Sequence, residues 1–309
     1  MFLKQVEKFK AHSILYFIIP FFFLMLMVVN YAATILLKLD TNVIIKQSIA
    51  DYGVNGAFVV MILPLSIGLL ILLFWVKIIQ RQTITSLTTS RPKVDWKRIF
   101  VSFLLWSFIT ISIVMVSYFT SPNDFQWNFK PDKFFVFLIF AVLLIPMQTS
   151  FEEYLFRGNL MQGLFKVTHK RWIALVLPAF LFGIMHIANP EVDAMGPVIM
   201  IYYIGTGLFL GILTLMDEGL ELALGFHASN NLIGALLITS DWTAFQTHSL
   251  FKDVSAKHDN IVVSDILFPV FILFPILLLV FSKIYKWTNW KEKLIGSQTV
   301  KPEESNFNL

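Results

Sequence analysis

The sequence predicts an all-α, polytopic membrane protein, a bundle of about eight transmembrane helices. Three observations predict it. The 309 residues are 57% hydrophobic with a mean hydropathy of +0.72. Only 14% are charged, against roughly 25% in a soluble domain. Apolar runs long enough to span a bilayer recur along the chain, each closed by polar or Pro/Gly residues. A water-soluble fold of this composition would leave apolar surface facing water.

A spanning helix needs about 20 mostly apolar residues, because each adds about 1.5 Å along a hydrocarbon core about 30 Å thick. Eight stretches qualify: His12 to Leu37, Ala57 to Ile79, Ile99 to Thr120, Phe134 to Phe156, Trp172 to Ala188, Met195 to Met216, Leu220 to Ile238 and Ile266 to Trp287. The first follows Lys4, Lys8 and Lys10, yet it is too long for a secretory signal core and has no clear cleavage site, so an uncleaved anchor is expected. The fourth has apolar residues beyond its end, at Phe156, Leu160, Met161, Leu164 and Phe165, which suggests that the helix continues past Arg157. The tail Gln298 to Leu309 is polar and is expected to be disordered. The chain divides into N-terminal helices (1–132), a core of four helices (133–240) and a loop, last helix and tail (241–309).

Short loops rich in Lys and Arg resist translocation. Gln80 to Arg98 holds Arg81, Arg91, Lys93, Lys97 and Arg98; the loop after segment four holds Arg157, Lys166, Lys170 and Arg171; the C-terminal region adds Lys283, Lys286, Lys291 and Lys293. The intervening loops hold Asp124, Glu191, Asp193 and Asp259. Both termini are therefore expected to be cytoplasmic, in the plasma or inner membrane. Asp217, Glu218 and Glu221 sit on the same side as the basic loops, and acids count little in this rule. The net charge of +4 reflects topology, and no nucleic acid is expected as a partner. Cysteine is absent, which excludes a disulfide framework, a thiolate metal site and a cysteine nucleophile.

Ionisable residues inside spanning helices are costly and usually face the bundle interior. Three clusters qualify. At the end of segment four stands Glu152-Glu153-Tyr154-Leu155-Phe156-Arg157. Glu153 and Arg157 are four apart and can neutralise each other on a helix, whereas Glu152 points about 100° away, where a carboxylate in a low-dielectric interior makes a general base. The plainer reading is an ion pair at a helix end. Late in segment five, Phe182 and His186 share a face and Gly183 permits close helix contact, although a lone histidine is more often a core residue. In segment seven His227 and Asn231 project from one face, and interhelical hydrogen bonding would explain either one. Together the three clusters supply a base, a proton relay and an oxyanion donor. His12, His169, His248 and His258 lie at segment ends or in loops and are assigned solvated or interfacial roles.

Glu152-Glu153-x-x-x-Arg157, Phe182-x-x-x-His186 and His227-x-x-x-Asn231, in that order, resemble the motif set of the CAAX-protease and bacteriocin-processing (CPBP, or Abi) intramembrane peptidases, over segments four to seven. The resemblance implies an eight-helix fold, an active site inside the bilayer open to the cytosol, and glutamate-dependent hydrolysis of a peptide bond. By position, Glu152 with His186 would activate water, His227 and Asn231 would stabilise the oxyanion, and Glu153, Arg157 and Phe182 would support them. No Gly-x-Ser-x-Gly elbow or His-Glu-x-x-His pair is present, so water is the expected nucleophile. Glu152, His186 and His227 are also a donor set for zinc; the metal-free reading, with no cofactor, is preferred because Asn231 is a poor ligand. The expected partners are a lipid bilayer and a peptide or protein substrate, lipidated or membrane-embedded, such as a prenylated carboxy-terminus or a leader peptide. The competing functions are a proton-coupled transporter and a non-catalytic scaffold or immunity protein. One difficulty stands: with segment four starting near Phe134, Glu152 lies about 27 Å along it, while His186 lies about 22 Å from the inner face, at about 1.5 Å per residue. At those depths the two do not meet.

Overall fold

The computed structural model describes residues 1–255 and 263–296; His258, Asp259 and the tail from Gln298 lie outside the described residues. The expected bundle forms, and the chain is a polytopic all-α membrane protein. Among the described residues, six helical stretches are long and apolar enough to cross a membrane: Leu15–Leu36, Thr41–Ile79, Trp96–Thr120, Pro131–Thr168, Ile199–Asp217 and Ile266–Tyr285. The other two expected segments are the shorter helices α7 (Arg171–Ile184) and α10 (Glu221–Leu237). Both carry site residues: α10, buried along most of its length, packs between α4 (Trp96–Thr120) and α5 (Pro131–Glu153), and α7, which leaves Trp172, Val176 and Phe180 exposed, packs on α9 (Ile199–Asp217).

Local chemistry sets the element limits. The Asp40 side chain accepts from the backbone N–H of Asn42 and Val43 and so caps α2 (Thr41–Phe74), and Asp95 caps α4 through Lys97 N–H. Residues 41–56, expected as a loop, are helical as well, and Gly53 takes a positive φ of 70° where the helix kinks. Helix α5 passes into a π-helical stretch, Tyr154–Leu160, and on into α6 (Met161–Thr168). His169, left-handed at φ 55°, then ends the run and α7 turns back. The continuation past Arg157 therefore holds, and it removes the depth difficulty. Glu152 lies 17 residues before His169 and His186 lies 17 after it, so on two antiparallel helices at about 1.5 Å per residue both lie about 25 Å from the turn.

One end of the bundle collects the basic loops. Arg91 bridges Asp217 and Glu221 (3.1 Å each), Arg98 also reaches Asp217, and Lys293 approaches Glu218 at 3.6 Å. Of the acids that ran against the charge pattern, Asp217 and Glu221 are thus partners of the basic loop from 80 to 98, and Glu218 is a partner of Lys293. The N-terminal 3-10 helix Leu3–Lys8 docks at this end against α6, with Phe2, Leu3 and Val6 buried and Lys166 donating to the carbonyls of Phe9 and Ala11. The opposite end carries a three-stranded sheet in the order β1-β3-β2. There β1 (Phe125–Trp127) pairs antiparallel with β3 (Phe251–Asp253), and β2 (Ile238–Thr239) pairs parallel with it.

Aromatic residues fill the centre. Trp106 packs on Phe226 (4.4 Å between ring centres) and Phe209 stacks on Phe274 (4.5 Å); Phe151, Leu155, Phe156 and Phe182 form a second cluster beside the site. Large apolar side chains such as Phe22, Leu26, Ile71, Phe108, Ile139 and Leu279 are exposed on the outside, a surface suited to lipid.

Candidate active site

The site lies where α5, the end of α7, α9 and α10 converge. Glu152 and Glu153, adjacent in sequence, separate as the helix geometry requires. Glu153 accepts from Arg157 Nη1 (3.0 Å) and from His227 Nδ1 (2.7 Å) through the same oxygen, Oε1. Arg157 and Glu153 have no solvent exposure. The guanidinium also donates to the carbonyl of Gly207 (3.0 Å) and lies 4.2 Å over the Phe182 ring. The expected Glu153–Arg157 pair is formed. Phe182 does more than buttress His186, since it also faces His227 at 5.8 Å and Phe156 at 5.7 Å.

Arg157 meets its carbonyl because α7 and α9 approach closely. A Cβ on Gly207 would stand 2.5 Å from the Ala179 carbonyl oxygen, and one on Gly183 would stand 2.9 Å from the Ile204 nitrogen. These two glycines let the backbones touch. The π-helical stretch starts directly after Glu153, and single wide turns of this kind are frequent at functional sites.

Glu152 has different company. Its Oε1 accepts from Gln148 Nε2, one helical turn earlier, and its Oε2 is buried without a hydrogen-bond partner among the described residues. His227 Nε2 stands 3.8 Å from that oxygen. A directed chain of hydrogen bonds leads to Glu152. Trp106 Nε1 donates to Asn230 Oδ1 (3.1 Å), Asn230 Nδ2 to Asn231 Oδ1 (3.1 Å), Asn231 Nδ2 to Gln148 Oε1 (3.3 Å), and Gln148 to Glu152. An indole N–H only donates and a carboxylate only accepts, so the two ends fix the orientation of all three amides.

His186 Nδ1 lies 2.8 Å from the Phe182 carbonyl oxygen. The carbonyl can only accept, so Nδ1 carries a proton and, in the neutral ring, Nε2 holds the lone pair. The ring stacks on Tyr203 at 4.5 Å and 15°. Glu152, His186 and Asn231 line one cavity of about 640 Å³, together with Gln148, Asn189, Glu191, Tyr203, Asn230 and apolar residues of α1 (Leu15–Leu36) and α2 such as Leu26, Met27, Met61 and Leu65. His227 stands behind this wall, held by Glu153. Among the described residues no three His, Asp or Glu side chains group as ligands for a metal ion.

Sequence reasoning missed Gln148, Asn230 and Tyr203. Gln148 had a readable signal, four residues before Glu152 on the same helix face. Asn230 and Tyr203 had none, because their partners come from other helices.

Residues 131–233 match the family model described as type II CAAX prenyl endopeptidase Rce1-like. The chain is similar to the "Uncharacterized protein YyaK" of Bacillus subtilis (strain 168), with 29% identity over 165 residues, which are 53% of this chain and 55% of that protein. The chain thus matches about half the length of this curated relative. No solved structure matches it. Glu152, His186, His227 and Asn231 all fall inside the segment, residues 131–233, that is similar to the type II CAAX prenyl endopeptidase Rce1-like family.

Proposed function

We propose that the chain is an intramembrane endopeptidase that hydrolyses a peptide bond with water activated by Glu152 and His186. The observation that carries this reading is Glu152 Oε2, a buried carboxylate oxygen without a donor on a residue of the cavity wall that His186 and Asn231 share. A carboxylate whose free oxygen meets a water is placed to take its proton. The hydroxide adds to the scissile carbonyl, and the same proton passes to the departing amine, so the glutamate is regenerated. Asn231 spends one amide N–H on Gln148 and has a second for the oxyanion. His227, held through Nδ1 on Glu153, is the second group assigned to that charge, and its Nε2 approaches from behind Glu152, 3.8 Å from Oε2. Gln148 holds Glu152 in place.

The substrate in this reading is a peptide or protein segment that enters from the membrane, of the prenylated carboxy-terminal or leader-peptide kind. The end with the basic loops faces the cytoplasm of a plasma or inner membrane, so reporter fusions after Lys97 and after Thr120 should report opposite sides. Purified protein on quenched fluorescent peptides tests the chemistry. Glu152→Gln and His186→Ala should each lower turnover by about 10² to 10⁴, and His227→Ala and Asn231→Ala by about 10² to 10³, with folded protein retained. Near-parental turnover in the first two, on a peptide the parent cleaves, would refute the assignment. A parent that cleaves nothing would point to a scaffold or transporter. No metal enters the scheme: turnover should survive strong chelators, and loss on chelation with return on adding zinc would reverse that choice.

A further inference from the structure

Glu191, which the sequence presents as a loop acid, is a second carboxylate of the cavity wall. It sits in the first turn of the short helix α8 (Pro190–Met195), between α7 and α9. Its Oε1 accepts from the backbone N–H of Ala244 at 2.9 Å, while its Oε2 is buried without a hydrogen-bond partner among the described residues. Burial pushes the Glu191 carboxyl above its ordinary value of 4.5, and the Ala244 bond only partly offsets this. A structural anchor for Ala244 needs one oxygen and no charge. An amide would serve it at a lower desolvation cost.

The surroundings add a direction to this excess. Among the described residues no Lys or Arg lines the cavity, whose ionisable wall groups are Glu152, His186, Glu191 and Tyr203. Arg157, the cation next to the site, is already taken by Glu153 and the Gly207 carbonyl. Glu191 is joined to the reacting region by short steps: His186 stacks on Tyr203, the Tyr203 hydroxyl accepts from Asn189 Nδ2 at 3.4 Å, and Asn189 precedes Pro190 and Glu191. A peptide lying with its scissile bond at Glu152 and His186 would thus pass Glu191 within the same cavity.

We propose that Glu191 is a specificity-determining residue, whose free carboxylate oxygen receives a basic side chain of the peptide substrate, lysine or arginine, near the scissile bond. This rests on the peptidase reading for its substrate class, although the cation-binding part stands on the cavity alone. The ammonium or guanidinium fills the acceptor that the protein leaves open and stabilises the ionised carboxylate, so part of the desolvation cost is offset when substrate is bound.

The experiment uses the full-length protein in detergent and a set of amino-acetylated, carboxy-amidated fluorogenic octapeptides. A single lysine or norleucine is walked through each position, so the only cation is the side chain under test. At one position the parent should prefer lysine by about tenfold or more, the range of a charge-assisted hydrogen bond. That preference should appear in KM, vanish in Glu191→Gln and return in Glu191→Asp. A parent that cleaves without preferring lysine anywhere, or a lysine preference that Glu191→Gln leaves untouched, would overturn the proposal. The same peptides, fluorescein-labelled, are also titrated by anisotropy against Glu152→Gln, in which turnover is blocked but Glu191 is intact. If the parent cleaves nothing, the peptidase reading fails, and this titration decides Glu191 by itself. Lysine-dependent binding lost in the Glu152→Gln/Glu191→Gln double variant supports the cation site; equal binding of lysine and norleucine peptides overturns it.

Discussion

Glu153→Gln separates the structural carboxylate from the reacting one. The substitution keeps the shape and an acceptor oxygen but removes the charge that Arg157 faces at 3.0 Å with both side chains fully buried. The remaining partners of Arg157 are the Gly207 carbonyl and the Phe182 ring, neither of which carries a formal charge. A buried charge left without its counter-ion costs about 3 to 5 kcal/mol, about a 10² to 10⁴-fold shift toward unfolded protein. Glu152→Gln has no such partner to orphan, since Glu152 Oε1 meets the neutral Gln148 amide. The assay is thermal unfolding in detergent beside turnover on one peptide. Glu153→Gln should melt well below the parent and lose activity, because His227 also loses its anchoring charge; Glu152→Gln should lose activity and melt near the parent. Adding Arg157→Met to Glu153→Gln removes the orphaned guanidinium and should recover stability without recovering turnover. Equal melting temperatures for the two single variants, or a double variant no more stable than Glu153→Gln, would refute the reasoning.

Two further outcomes follow from the packing and the charges. Gly207→Ala should destabilise the protein by about 1 to 3 kcal/mol through overpacking, because its Cβ would meet the Ala179 carbonyl oxygen at 2.5 Å; the widened α7–α9 contact should also lower turnover by moving the carbonyl that holds Arg157. Melting temperature and activity measure this, and an unchanged melting temperature would contradict the close approach. For Glu191 the sign is that of an acid whose folded value is raised. Its contribution is whole below pH 4.5 and is lost as pH rises from 4.5 through the folded value, because the unfolded chain ionises first. Glu191→Gln should therefore melt above the parent at neutral pH and converge with it below pH 4.5, and a pH-independent difference would contradict the burial of that carboxyl.

The membrane class, the helical segments and the Glu153–Arg157 pair were legible because each depends on residues close in sequence: about 20 apolar residues make a span, and four residues make one helical turn. The basic loops gave the shared end of the bundle for a similar reason, since charge density in short loops is a local property. What joins distant segments was not legible. The split of two neighbouring glutamates, one onto His227 and Arg157 and the other onto Gln148, was half readable from the 100° step of the helix and half dependent on which helix lies opposite. The equal depth of Glu152 and His186 needed the continuation of α5 through the π-helical stretch to the turn at His169, and no local pattern marks a π-helical turn. The chain from Trp106 through Asn230 and Asn231 to Glu152 and the exposure of Glu191 to the cavity exist only once α4, α5, α8 and α10 have packed. A hydrogen bond between helices is set by their separation and rotation, and those follow from the fit of whole faces, Gly183 and Gly207 included, more than from any one residue in the sequence.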